Sequence, residues 1–262
     1  MSDENGSGQG LKSLDTALGV LAGLTRMDGP QTLSDIAKEC GMSSSKVHRY
    51  LASFVHAGLV KQMGRSGRYD IGPEALQLGM TAIRRHDFVN ATADSLLDLS
   101  AQTHMTVLLS VWANQGATVV RWERGANPTD TSIGLGTTLP LLNSATGRVF
   151  LAWGPPGAVA PVRDAQLRRL ARQSTPLPDA ATTKAGLDDL AMRTRARGFA
   201  SVEGKFIPGL VAVAAPVLDW QGQAQAAVTL VGTDPAMIHS GSTQTHTLLA
   251  FCAEKSVHRM LT

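Results

Sequence analysis

Apolar residues recur every three or four positions in the first third of the chain and alternate more closely further on, so a helical segment gives way to strands. Leu14, Ala17, Leu18, Leu21 and Leu24 predict an amphipathic first helix that Asp28-Gly29-Pro30 stops. Leu33, Ile36 and Ala37 predict a short helix over residues 34–40, closed by Gly41. Ser43 then suits the N-cap of another helix, in which Val47, Tyr50, Leu51, Phe54 and Val55 share one face. Ser44, Ser45, Lys46, His48, Arg49 and Ser53 occupy the other face. Two short strand-like runs follow, residues 59–62 and 68–71, around Gly64-Arg65-Ser66-Gly67.

Two short helices joined at a glycine, the second with a small-polar and basic outer face, form a helix-turn-helix, and a glycine-flanked hairpin behind it serves as a wing. The serines at the helix start can donate to phosphate or base edges, and the helix N-terminus favours an anion. Arg49 is shaped for bidentate contact with guanine. Candidate DNA contacts are therefore Ser43, Ser44, Ser45, Lys46, His48 and Arg49, with Arg65 and Arg68 on the wing. Between residues 41 and 71 the cations Lys46, Arg49, Lys61, Arg65 and Arg68 face the single acid Asp70. The alternative is a small helical subdomain with a solvated basic face.

Pro73 fits the first turn of a further helix. Residues 74–102 stay helix-compatible, with a bend or break at Arg84-Arg85-His86-Asp87, and read either as a connector with a dimer surface or as a core helix of the second domain. Strand runs 106–112 and 117–122 flank Asn114-Gln115-Gly116 as one hairpin; runs 211–218 and 224–231 around Asp219-Trp220-Gln221-Gly222 make another. Helical stretches over 144–153, 159–172 and 182–197 lie between them, and a last helix spans 241–261. The class is α+β, an antiparallel sheet with flanking helices.

Composition narrows the function. The 262 residues are 43% hydrophobic with a net charge of +3, so the basic character is local rather than a uniform coat for nucleic acid. Cys40 and Cys252 are far apart and match no disulfide or metal-ligand spacing, which points to a reducing cytoplasm. Residues 1–10 read as a polar, glycine-rich disordered tail, and the longest apolar run, 210–218, is too short for a membrane span. Gly134-Leu135-Gly136 lacks the third glycine of a dinucleotide fingerprint, and no nucleophile elbow or P-loop occurs. The seven histidines are scattered, so no catalytic residue, metal site or cofactor is expected. A pairing of Glu203 with Lys205 reads as a strand-edge salt bridge before an acid/base pair.

One loop has the makings of a ligand site. Residues 139–147 lead polar groups into a helix start, where unpaired N–H groups of the first turn suit a carboxylate or carbonyl oxygen. Ordinary capping by Asn143 or Ser144 is the competing explanation.

Ser13-Leu14-Asp15-Thr16-Ala17, Leu33-Ser34-Asp35-Ile36-Ala37, Lys46-Val47-His48-Arg49-Tyr50-Leu51 and Gly67-Arg68-Tyr69-Asp70-Ile71-Gly72 resemble the winged helix of the IclR family of bacterial transcriptional regulators. The resemblance continues through Leu139-Pro140-Leu141, Ala145-Thr146-Gly147-Arg148, Arg197-Gly198-Phe199-Ala200 and Pro208-Gly209-Leu210 into Ala214-Ala215-Pro216-Val217. It implies a DNA-binding domain over 11–72, a linker helix region over 73–102 and a GAF-like effector domain over 103–262. It also implies a homodimer or homotetramer on a palindromic double-stranded operator. The implied effector site comprises Asn143, Ser144, Ala145, Thr146, Glu203, Ala212 and Thr229. Members that sense small oxo-acids carry acid, thiol and hydroxyl groups at positions aligned with Val202, Ala212, Thr229 and Val231; only Thr229 is polar here. That wall would desolvate a small charged acid uncompensated, so a bulkier effector such as an aromatic acid is expected. Trp112 and Trp122 either line such a pocket or belong to the core.

Overall fold

The computed structural model of the chain describes residues 11–64, 66–125, 133–173, 179, 182–204 and 206–257. Arg65, Lys205, His258 and the segment 1–10 lie outside them. Contacts cluster into two units divided between His86 and Asp87.

The first unit runs α1 (Lys12–Thr25), α2 (Leu33–Glu39), α3 (Ser44–His56), β1 (Val60–Gln62), β2 (Tyr69–Ile71) and α4 (Pro73–Arg85). Its core is the set of helically spaced residues: Val20, Leu24, Ile36, Val47, Leu51 and Phe54 are all buried. Thr32 starts α2 by accepting from the Asp35 N–H at 3.2 Å, while its own hydroxyl donates to the Asp35 carboxylate at 2.6 Å. That donation holds the carboxyl below its ordinary pKa. Gly41, at φ +62°, ends α2: its N–H reaches the Lys38 carbonyl and the Met42 N–H the Ala37 carbonyl, a reversal that only a left-handed residue makes cheaply. The turn sets α3 off from α2. β1 and β2 pair antiparallel with Val60 opposite Ile71, and Gln31 exchanges two 2.8 Å bonds with Tyr69 along the other side.

The stretch 74–102 is not one helix. α4 ends at Arg85, Asp87 caps α5 (Phe88–Ala93) by accepting from the Asn90 N–H at 3.0 Å, and a second break at Asp94-Ser95 precedes α6 (Leu96–Thr103). The first break lies at the expected tetrapeptide; the second was not expected.

The second unit adds β3 (Thr106–Ala113), β4 (Gly116–Glu123), β5 (Thr138–Leu139), α7 (Ala145–Trp153), α8 (Pro156–Gln173) and α9 (Lys184–Arg197). It closes with β6 (Ala200–Glu203), β7 (Val211–Leu218), β8 (Ala224–Gly232), a 3-10 turn and α10 (Thr243–Lys255). The sheet order is β5-β4-β3-β8-β7-β6, every neighbour antiparallel, so the two predicted hairpins join through β3 and β8. Side chains alternate between its faces. Leu108, Ala214, Ala227 and Val231 pack with α7, whereas Val107, Leu109, Val213, Ala215, Val228 and Leu230 pack with Leu96 and Leu99 of α6 and Leu248 of α10. Each such leucine contributes about 1.5–3 kcal/mol on burial. The fold is α+β, as the sequence implies, and among the described residues no helix is long and apolar enough to cross a membrane.

Ser110 breaks the apolar run. It is fully buried beside a bulge that leaves Val120 of β4 unpaired, and its hydroxyl has no hydrogen-bond partner. Ser110→Ala should therefore leave stability unchanged or raise it by about 1 kcal/mol in urea unfolding; a loss of that size would reveal a partner for the hydroxyl.

Candidate functional site

On α3 the expected faces separate, except that Val55 is exposed and Tyr50 only half-buried. Val47, Leu51 and Phe54 are buried, while Ser43, Ser44, Ser45, Lys46, His48 and Arg49 are all exposed. Ser43 occupies the N-cap position but its side chain makes no capping bond; its Oγ lies 3.4 Å from that of Ser45. The helix start thus presents hydroxyls and first-turn N–H groups to an outside acceptor. Arg68 differs from its expected posture. Its Nη1 donates to the Pro30 carbonyl at 3.1 Å, tying the base of the wing to the loop before α2. Lys61 pairs with Asp70 across the wing at 3.2 Å.

In the second unit, the start of α7 meets the sheet at a cavity of about 40 Å³. Ser144, Ala145 and Thr146 line it from α7, Leu108, Thr229 and Val231 from β3 and β8, and Val202 and Ala212 from β6 and β7. Ile133 and Leu139 close one side, and Phe206, Ile207 and Leu210 another. All four positions aligned with the oxo-acid sensors are therefore brought together. No charged side chain lines the cavity among the described residues.

Its polar groups are few and their bonds can be traced. Ser144 is the N-cap: its Oγ accepts from the Gly147 N–H at 2.9 Å and donates to the Pro140 carbonyl at 2.6 Å. Ordinary capping therefore accounts for Ser144, but the N–H groups of Ala145 and Thr146 are not bonded by it. The Thr146 and Thr229 hydroxyls lie 2.7 Å apart, both buried. One proton serves that bond, which leaves the pair a second proton and lone pairs to offer. With the positive end of the helix beside it, the arrangement suits a carboxylate.

Arg148 fixes the approach to this helix. Its buried guanidinium donates through Nε to the Leu142 carbonyl at 2.8 Å and through both terminal nitrogens to Asp179 at 2.6 and 2.9 Å. Asn143 does not line the cavity; it faces a cleft with Gln115 and Thr138. Glu203 does not either. It stands with Arg148, Arg193 and Arg197 on a polar cleft of about 220 Å³ that Val202 also borders. Trp112 and Trp122 pack against the core rather than lining the cavity, Trp112 against Phe150 at 5.5 Å between ring centres. The apolar lining residues Leu108, Ile133, Leu139, Phe206, Ile207 and Leu210 are additions to the expected set. Among the described residues no three of His, Cys, Asp and Glu gather as a metal site requires.

Comparison with known proteins bears on both units. Residues 80–257 match the family described as bacterial transcriptional regulator IclR C-terminal, and residues 13–64 match the IclR helix-turn-helix domain. The glycerol operon regulatory protein of Streptomyces coelicolor is 28% identical over 233 residues, 89% of this chain and 88% of that protein. The crystal structure of Pseudomonas aeruginosa HmgR superposes with a TM-score of 0.81 at 32% identity, covering 94% of this chain and 97% of that one. An IclR homologue from Microbacterium hydrocarbonoxydans, solved with 4-hydroxybenzoate, shares the fold at a TM-score of 0.50 and 20% identity, covering 94% of this chain and 98% of that one.

The hydroxyl pair makes a prediction. Thr146→Val or Thr229→Val alone strands the partner hydroxyl in an apolar wall and should cost about 1–3 kcal/mol of stability. The double variant should cost clearly less than the sum of the two singles in a denaturant cycle; strict additivity would mean the two hydroxyls do not interact.

Proposed function

The chain belongs to the IclR family of bacterial transcriptional regulators, and we propose that it is a cytoplasmic switch in which a small acid bound beside α7 controls how a pair of winged helices engages DNA. Under this reading α3 enters the major groove. Ser43, Ser44, Ser45, Lys46 and His48 engage phosphates and base edges near the helix start, and Arg49 reads a guanine. Arg68 braces the wing through Pro30. Two copies of the chain would bind a palindromic operator with half-sites whole helical turns apart. Exposed apolar residues support self-association: Leu14 and Leu18 on α1, and Leu76, Leu78 and Met80 on α4. Pairing of dimers into tetramers would use the second unit.

The observation that carries the effector reading is the Thr146–Thr229 pair beside first-turn N–H groups that the Ser144 cap does not reach, in an otherwise apolar cavity. A ligand that satisfies it has one anionic or carbonyl end and an apolar body, and an aromatic acid is such a ligand. The homologue that holds 4-hydroxybenzoate supports this choice by shared fold only. The acid would act by its differential affinity for the DNA-competent and DNA-incompetent arrangements, since equal affinity shifts nothing.

Two measurements test the reading. In operator titrations Arg49→Ala should cost about 1–3 kcal/mol and relax preference at one base pair, whereas Lys46→Ala should weaken all sequences alike and lower the salt slope by about one. Equal loss on operator and random DNA for Arg49→Ala would remove the base contact. In calorimetry, benzoate-type acids should bind more tightly than glyoxylate or pyruvate; the reverse order would overturn the aromatic assignment.

A further inference from the structure

The cavity is too small for the ligand its chemistry favours. A cavity of about 150 Å³ accommodates a single benzene ring, and the space beside α7 is about 40 Å³. A ligand ring must therefore reach past the present lining or out through the open side, and the walls differ in how they are built. Leu108, Thr229 and Val231 stand on β3 and β8, each paired on both sides. Ala145 and Thr146 belong to a helix start that is buried throughout. Ile133 and Leu139 close another side, and the loop between β6 and β7 contributes Phe206, Ile207 and Leu210.

Among the described residues of that loop, the Gly204 N–H donates to the Leu210 carbonyl at 2.8 Å and the Leu210 N–H to the Ile207 carbonyl at 3.1 Å. Gly204 and Gly209 take φ of +59° and +80°, and a Cβ at either would meet nothing within 4 Å. Glycine at these two places thus serves the backbone angle, not a close approach. Phe206 is 38% exposed although it also lines the cavity, so its ring closes the mouth without being locked into the core.

We propose that Phe206 is the residue that sets the size of the acid admitted: its ring fills the room into which a ligand ring must extend. The assignment rests on the effector reading above and adds to it the element that chooses among acids. Truncating Phe206 enlarges the accepted ligand, and enlarging Phe206 excludes even a single ring.

Calorimetry on the full chain with benzoate and 2-naphthoate tests this in three proteins: wild type, Phe206→Ala and Phe206→Trp. Phe206→Ala should improve 2-naphthoate relative to benzoate by about tenfold or more, and Phe206→Trp should weaken benzoate by a similar factor, the range that a small change in pocket volume produces. A naphthoate-to-benzoate affinity ratio that stays the same in all three proteins, with benzoate bound by each, overturns the role of Phe206 and leaves the effector site standing. Absence of acid binding in all three overturns the effector reading itself, and this assignment with it.

Discussion

A helix that begins inside a protein cannot leave its first N–H groups to bulk solvent, and α7 begins inside this one. Every residue from Ala145 through Phe150 is buried. The first-turn N–H groups have no carbonyl within their own helix, and Ser144 answers for Gly147 alone. What remains at Ala145 and Thr146 is a small field of donors under a roof of valine, leucine and isoleucine. Leaving such donors unpaired is costly, so a water or a ligand oxygen is called for at that point. The rest of the second unit places walls around it: β3 and β8 supply the floor, Thr229 a hydroxyl, and Arg148 the fixed turn from which the helix starts.

The two units solve opposite problems with the same device. At α3 the helix start is exposed, its N-cap side chain is uncommitted, and the donors face outward toward whatever polyanion arrives. At α7 the start is enclosed, its cap is fully used, and the donors face a space of a few water molecules. Helix N-termini favour negative charge in both settings. Exposure makes one suited to a long phosphate backbone, and enclosure makes the other suited to a single carboxylate, where the lower dielectric strengthens each bond.

Much of this was readable from residue spacing. The face separation on α3 follows from Val47, Leu51 and Phe54 alone, and the capping at Gly41 and Ser144 from residue type. Val202, Ala212, Thr229 and Val231 converge as the family resemblance implies. What escaped notice depends on contacts distant in sequence or on segments without a period. β5 is two residues long and leaves no pattern. Phe206, Ile207 and Leu210 sit in a loop, where apolar residues have no periodicity to betray which way they point. Arg68 reads as a free wing cation until Pro30, 38 positions earlier, turns out to hold it. Glu203 ends β6, on a polar cleft that Val202 also borders, and only its place with Arg148, Arg193 and Arg197 on that cleft separates it from the cavity.

Amide NMR on protein labelled with ¹⁵N at alanine and threonine decides whether the donors at the start of α7 receive the acid. Titration with 4-hydroxybenzoate should move the Ala145 and Thr146 amide protons downfield, the change a new charge-assisted bond produces, with Ala52 of α3 unmoved as an internal reference. Saturable binding of the acid with both α7 amides left in place would contradict the account.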